Sequence, residues 1–147
     1  MITEDCISFE TAKLLKEKGF DEPCTYLWIF EKTNNPEVDD NGVYKCPLKR
    51  YTESDYWNNT SIELFKKEDE YWNNNIDFFA CPTLQMAMKW LREVYGLFIR
   101  ITEDMTGNVF EWSVYQKNYG CKASTYVEDS YEQACETAIK YCLENLI

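Results

Sequence analysis

Pro82-Thr83-Leu84-Gln85-Met86-Ala87-Met88-Lys89-Trp90-Leu91-Arg92-Glu93-Val94-Tyr95-Gly96-Leu97-Phe98-Ile99-Arg100-Ile101-Thr102 changes its hydrophobic period partway along, and that change decides the fold. Leu84, Ala87, Trp90, Leu91 and Val94 recur at three- and four-residue spacing, which puts them on one buried face of a helix opening near Pro82-Thr83. Gly96 supplies a stop. Beyond it Leu97, Ile99 and Ile101 alternate with Phe98, Arg100 and Thr102, the period of a strand with one covered face.

Downstream the same alternation returns. Asp104-Met105-Thr106-Gly107-Asn108 reads as a hairpin loop, and Phe110, Trp112 and Val114 alternate with Glu111, Ser113 and Tyr115 on the way back. Lys117-Asn118-Tyr119-Gly120 turns the chain again, and Ala123 to Val127 offers a third strand. Ser130-Tyr131-Glu132-Gln133 is a capping box that opens a last helix. Its apolar stripe is Tyr131, Ala134, Cys135, Ala138, Ile139, Cys142 and Leu146.

Upstream, Ser8 caps a first helix, with Ile7 and Ala12 placed as a staple and Gly19 as its stop. Thr25-Tyr26-Leu27-Trp28-Ile29-Phe30 is β-branched and aromatic, as in a buried strand. Thr33 to Gly42 is rich in turn residues, and Val43-Tyr44-Lys45-Cys46 reads as the second arm of a hairpin that Pro47 stops. An insert at about 49–79 reads as mostly irregular, with short strand pieces. The expected class is α+β: an antiparallel sheet, hairpin plus meander, covered by about three helices. Short linkers and the absence of a composition break predict a single domain over 1–147.

The composition narrows function mainly by exclusion. At 147 residues, 45% hydrophobic and 16% aromatic, the chain can bury a core without staples. Its net charge is −11, and 17 of its 26 acids lie in the first 80 residues. That charge disfavours direct nucleic-acid or anionic-membrane binding, since phosphate contacts need lysine and arginine. It leaves room for a protein partner. The N-terminus shows no basic and apolar leader and no run reaches membrane-spanning length, so a cytoplasmic location is expected. There the seven cysteines, odd in number and without C-x-x-C spacing, stay thiols. The chain contains no histidine, which removes the commonest acid–base group and metal ligand. No catalytic residue, metal ligand or cofactor is assigned.

One feature suggests recognition. An acid followed by Tyr-Trp-Asn-Asn is written twice, at Asp55-Tyr56-Trp57-Asn58-Asn59 and Glu70-Tyr71-Trp72-Asn73-Asn74. As a surface, Tyr56, Trp57, Tyr71 and Trp72 would be rigid anchors, and Asn58, Asn59, Asn73 and Asn74 adaptable hydrogen bonders. As structural residues the aromatics would complete the core and the asparagines supply turn chemistry, the commoner fate of such residues. Glu37-Val38-Asp39-Asp40-Asn41-Gly42 matches the start of a calcium loop, but its twelfth position is Leu48 where a bidentate glutamate is required, so a plain acidic turn is the better reading. Cys135 and Cys142 fall on the stripe of the last helix as core residues. Cys81, just ahead of a helix, is the one thiol whose position would favour thiolate, though a structural role is expected for it too. Glu68-Asp69-Glu70 reads as a solvated charge run.

Ser8 to Phe20, Pro82 to Glu93 and the tail from Ser130 to Ile147 together resemble a group of small proteins common in gut Bacteroides genomes and in the phages and prophages of those bacteria. The resemblance implies a bacterial or phage cytoplasmic setting and carries no functional residues over. The expected function is a small protein-interaction or regulatory module without catalytic activity. The alternative is an acidic, nucleic-acid-mimicking inhibitor of a DNA-binding enzyme, motivated by the charge and the phage association. A carboxylate–metal enzyme ranks third.

Overall fold

The computed structural model describes residues 5–31, 76–124 and 127–147. They form α1 (Phe9–Glu17), β1 (Tyr26–Glu31), β2 (Ile76–Cys81), α2 (Leu84–Tyr95), β3 (Leu97–Glu103), β4 (Phe110–Gln116), β5 (Gly120–Ser124) and α3 (Tyr131–Asn145). The architecture is α+β, and every strand pairing is antiparallel. Two compact units emerge, residues 8–82 and residues 1–7 with 83–147.

The second unit grows from the stretch whose period changes. Thr83 caps α2 by accepting a hydrogen bond from the Met86 amide at 3.2 Å. Beside it the Leu84 amide donates to the Asp5 carbonyl at 2.9 Å, which ties down the chain ahead of α1. Gly96 closes the helix at φ +66°, a backbone that side chains with a Cβ resist. β3 then pairs with β4 in continuous register from Leu97↔Gln116 to Glu103↔Phe110, and β5 pairs on the other side of β4. The third strand runs from Gly120 to Ser124 rather than from Ala123 to Val127: Asn118 at φ +70° and Gly120 at φ +78° turn the chain back early, and Val127 is not strand.

Opposed residues in an antiparallel pair share a face, so Leu97, Ile99 and Ile101 lie beside Val114 and Trp112. α2 packs on β3 and on α3, and α3 packs on both β3 and β4, all over that one face. The core there is Leu84, Ala87, Trp90 and Leu91 with Leu97, Trp112 and Val114, closed by Ala134, Cys135, Ala138, Ile139, Cys142 and Leu143. The Trp112 ring lies 5.3 Å from that of Tyr141. Three stripe positions differ from expectation. Tyr131, the first residue of α3, is 39% exposed, its hydroxyl accepting a hydrogen bond from the Gln85 side chain at 3.2 Å. Val94 is 56% exposed, because the apolar stripe outlasts by one turn the surface it packs against. At the other helix Leu143 is buried where Leu146 was expected; Leu146 is the C-cap residue and has left the helical stripe.

Among the described residues of the unit 8–82, aromatic rings pack α1 onto the strands. Ser8 accepts from the Thr11 amide at 3.3 Å, and α1 ends in paired bonds from Gly19 to Lys16 and from Phe20 to Leu15. Phe9 meets Trp28 and Phe79 edge-on, at 6.2 and 5.3 Å between centroids. The Lys16 ammonium lies 5.0 Å from the centre of the Phe79 ring. β1 pairs with β2 from Tyr26↔Cys81 to Glu31↔Ile76. Ile76 to Phe79 are thus strand, in keeping with the short strand pieces expected within 49–79; the rest of that insert lies outside the described residues. Ile76-Asp77-Phe78-Phe79-Ala80-Cys81 shows no alternation, and its partner lies far upstream, so no local signal marked it. The expected hairpin arm Val43 to Cys46 lies outside the described residues.

Candidate functional site

With two helices on one face of the β3–β4–β5 meander, the other face carries Phe98 opposite Tyr115, Arg100 opposite Ser113, and Thr102 opposite Glu111. Ser124 joins this face beside Ser113. A shallow, open depression of about 400 Å³ is lined by Arg100, Thr102, Glu111, Ser113, Tyr115 and Ser124. The Arg100 guanidinium is turned back across the sheet, with its carbon 5.0 Å from the centre of the Tyr115 ring. Stacking holds the cation in place while leaving its donors free for a carboxylate. Among the described residues Arg100 has no acidic partner.

The edges of the meander follow from two loop hydrogen bonds. The Lys117 amide donates to the Gly96 carbonyl, and the Asp104 amide to the Val109 carbonyl, each at 3.0 Å. In an antiparallel ladder hydrogen-bonded pairs alternate with open ones, so Phe98, Arg100 and Thr102 direct their backbone groups at β4. The N–H and C=O groups of Leu97, Ile99, Ile101 and Glu103 therefore point the other way. Among the described residues no strand pairs with that side of β3. The opposite edge differs. β5 is five residues long, starts at a glycine, and meets β4 through a register shift at Val114/Tyr115. It carries Lys122, whose ammonium sits 5.2 Å from the centre of the Tyr119 ring. Beyond it Glu128 and Phe110 exchange two backbone bonds at 2.8 and 2.9 Å, which occupies the far end of β4.

The turn that joins β3 to β4 is held by one carboxylate. Asp104 accepts from the Thr106 hydroxyl at 2.7 Å and from the Asn108 amide at 3.1 Å. The Thr106 hydrogen bond is the chief reason its pKa falls below the ordinary 3.8. The thiols are of two kinds. Burial pushes Cys135 up to about 11 and Cys142 to about 12, so both stay protonated and inert. Cys81 is 1% exposed at the end of a strand, separated from the helix start by Pro82 and Thr83, which is a structural position. Cys121 is exposed on β5.

Tyr56, Trp57, Asn58, Asn59, Tyr71, Trp72, Asn73 and Asn74 lie outside the described residues, as does the acidic turn from Glu37 to Gly42. Among the described residues no three cysteine or carboxylate side chains gather as a metal site, and no helix is long and apolar enough to cross a membrane. The open face of the meander drew no attention in the sequence because its residues simply filled the polar half of an alternation. The available signal was Arg100, a guanidinium set in the middle of a β-branched run. Comparison with known proteins finds no matching family model, curated relative or solved structure.

Proposed function

We propose that this chain is a small interaction module that holds a protein partner on its three-stranded sheet and performs no chemistry on it. The observation that carries this reading is the open side of β3: a regular seven-residue strand, four of whose residues direct backbone groups outward, beside an arginine held by an aromatic ring and not ion-paired to any carboxylate among the described residues. Backbone groups give affinity without demanding one sequence, and a fixed arginine adds selectivity. Phe98 stands 42% exposed next to it, an apolar anchor of the kind that dominates binding energies. A cytoplasmic bacterial or phage setting fits the free thiols expected of such a module.

Affinity capture from bacterial lysate tests this, using the wild type and a Phe98→Ala/Arg100→Glu double variant at low and high salt. The module reading expects a protein held by the wild type through high salt and lost from the folded variant. Retention of the same partner by the variant would contradict the placement on this sheet. A DNA-binding enzyme released by salt from both proteins would favour the charge-mimic reading, which rests on the net charge of −11.

A further inference from the structure

Sheet edges are normally guarded, because a row of unpaired backbone groups invites another strand. The devices are shortness, glycine or proline, bulges and an outward lysine. β5 has four of these traits: five residues, Gly120, a register shift and Lys122. β3 has none. It is seven residues long, contains neither glycine nor proline, and keeps unbroken register with β4. Its one cation leans over Tyr115 on β4, away from the open side. The inward side chains Ile99 and Ile101 stay half-buried although helices cover that face, so apolar surface remains next to the open edge.

We propose that β3 accepts an extended segment of a partner protein as a fourth, antiparallel strand, with a carboxylate side chain on that strand facing Arg100. The proposal rests on the module reading above and specifies its partner chemistry. The outward backbone groups of Leu97, Ile99, Ile101 and Glu103 form the hydrogen-bonded pairs with the incoming strand. Phe98, Arg100 and Thr102 then fall in the open pairs, where side chains of facing residues approach most closely. The position opposite Arg100 thus lies on the polar face, within reach of a guanidinium that has no acid of its own among the described residues. The positions opposite Ile99 and Ile101 lie on the apolar face, where β-branched side chains extend the core. The recognised segment reads apolar–acid–apolar at its centre. A second copy of the chain is a poorer occupant: pairing two β3 strands about Arg100 opposes two guanidiniums, and each copy carries a net charge of −11.

The probe is an end-blocked, fluorescein-labelled peptide Lys-Thr-Val-Glu-Val-Tyr-Val, whose fourth residue is set opposite Arg100. Saturable binding to the full chain is expected, read by fluorescence polarisation. Changing the peptide glutamate to lysine, or Arg100→Glu in the protein, is expected to weaken binding by roughly five- to tenfold. Combining the two changes restores it. Ile99→Pro, which removes an outward N–H, abolishes binding; the charge swap keeps the test valid if that variant folds poorly. Equal affinity for the glutamate and lysine peptides would overturn the register. A wild-type dimer that excludes the peptide would make a second copy the occupant and overturn the proposal. An inert peptide alongside a partner still captured from lysate would overturn this inference and leave the module reading standing; loss of both would sink both.

Discussion

The two edges of the meander share a central strand, yet they are built in opposite ways. β5 is short, kinked by a register shift and begun by a glycine at φ +78°, and it carries Lys122, whose ammonium lies 5.2 Å from the centre of the Tyr119 ring. β3 is longer, regular and unscreened, and directs four residues' backbone groups outward. Stability alone does not call for the difference, since a guarded β3 would bury the same core. An edge left open where its neighbour is closed is the feature on which the proposed docking of a partner strand rests. On the proposal made above, function would be carried by backbone direction and by what is missing from a strand, with no reactive side chain invoked.

The sharpest way to break the comparison is to place proline at two adjacent exposed positions of β3. Thr102 directs its N–H at Glu111, so Thr102→Pro loses a ladder bond and leaves an acceptor unpaired, costing about 2 kcal/mol in urea unfolding. Glu103 directs its N–H outward, so Glu103→Pro costs under about 1 kcal/mol, the tolerance expected of an edge. Equal costs would mean that the inferred direction of the backbone groups is wrong. On the other edge, Gly120→Ala meets no neighbour within 4 Å but must adopt φ +78°, so it loses about 1 kcal/mol from backbone strain alone. Peptide binding at β3 should be unchanged in that variant.

Lys122→Val tests the guard itself. Stability should move by less than about 0.5 kcal/mol, while sedimentation at rising concentration should reveal new self-association through β5. A strictly monomeric variant would remove the lysine from the account. The smallest effect belongs to Asp104. Its folded pKa lies below the ordinary 3.8, so its contribution is present above that value and fades as pH falls through the folded one. Asp104→Asn should therefore lower stability slightly at neutral pH, with the gap from wild type closing in acid; a gap that is constant down to the most acid titration point would contradict the assignment.

How much of this was legible in the sequence differs from element to element. α2 and β3 were readable because their signals are local: a Pro82-Thr83 start, an apolar stripe, a stop at Gly96 and then alternation. α3 was readable from Ser130, whose hydroxyl accepts from the Gln133 amide at 3.1 Å. β2 was not, since it lacks alternation and is defined by a partner far away in the chain. For the site, alternation told which side chains of β3 face outward, but not which backbone groups do. That parity depends on how the turns at 96–97 and 104–109 close their hydrogen bonds, and only the fold displays it. The duplicated Tyr-Trp-Asn-Asn segments, the most conspicuous feature of the sequence, lie outside the described residues, so the candidate site rests on residues that composition had marked only as the polar half of a strand.

Amide hydrogen exchange along β3, read residue by residue in the free protein by NMR, tests the central claim most directly. Phe98, Arg100 and Thr102 should be protected by their bonds to β4, while Ile99, Ile101 and Glu103 exchange rapidly. Uniform protection from Phe98 to Glu103 would show that another segment or another copy already covers the edge, and would contradict the account.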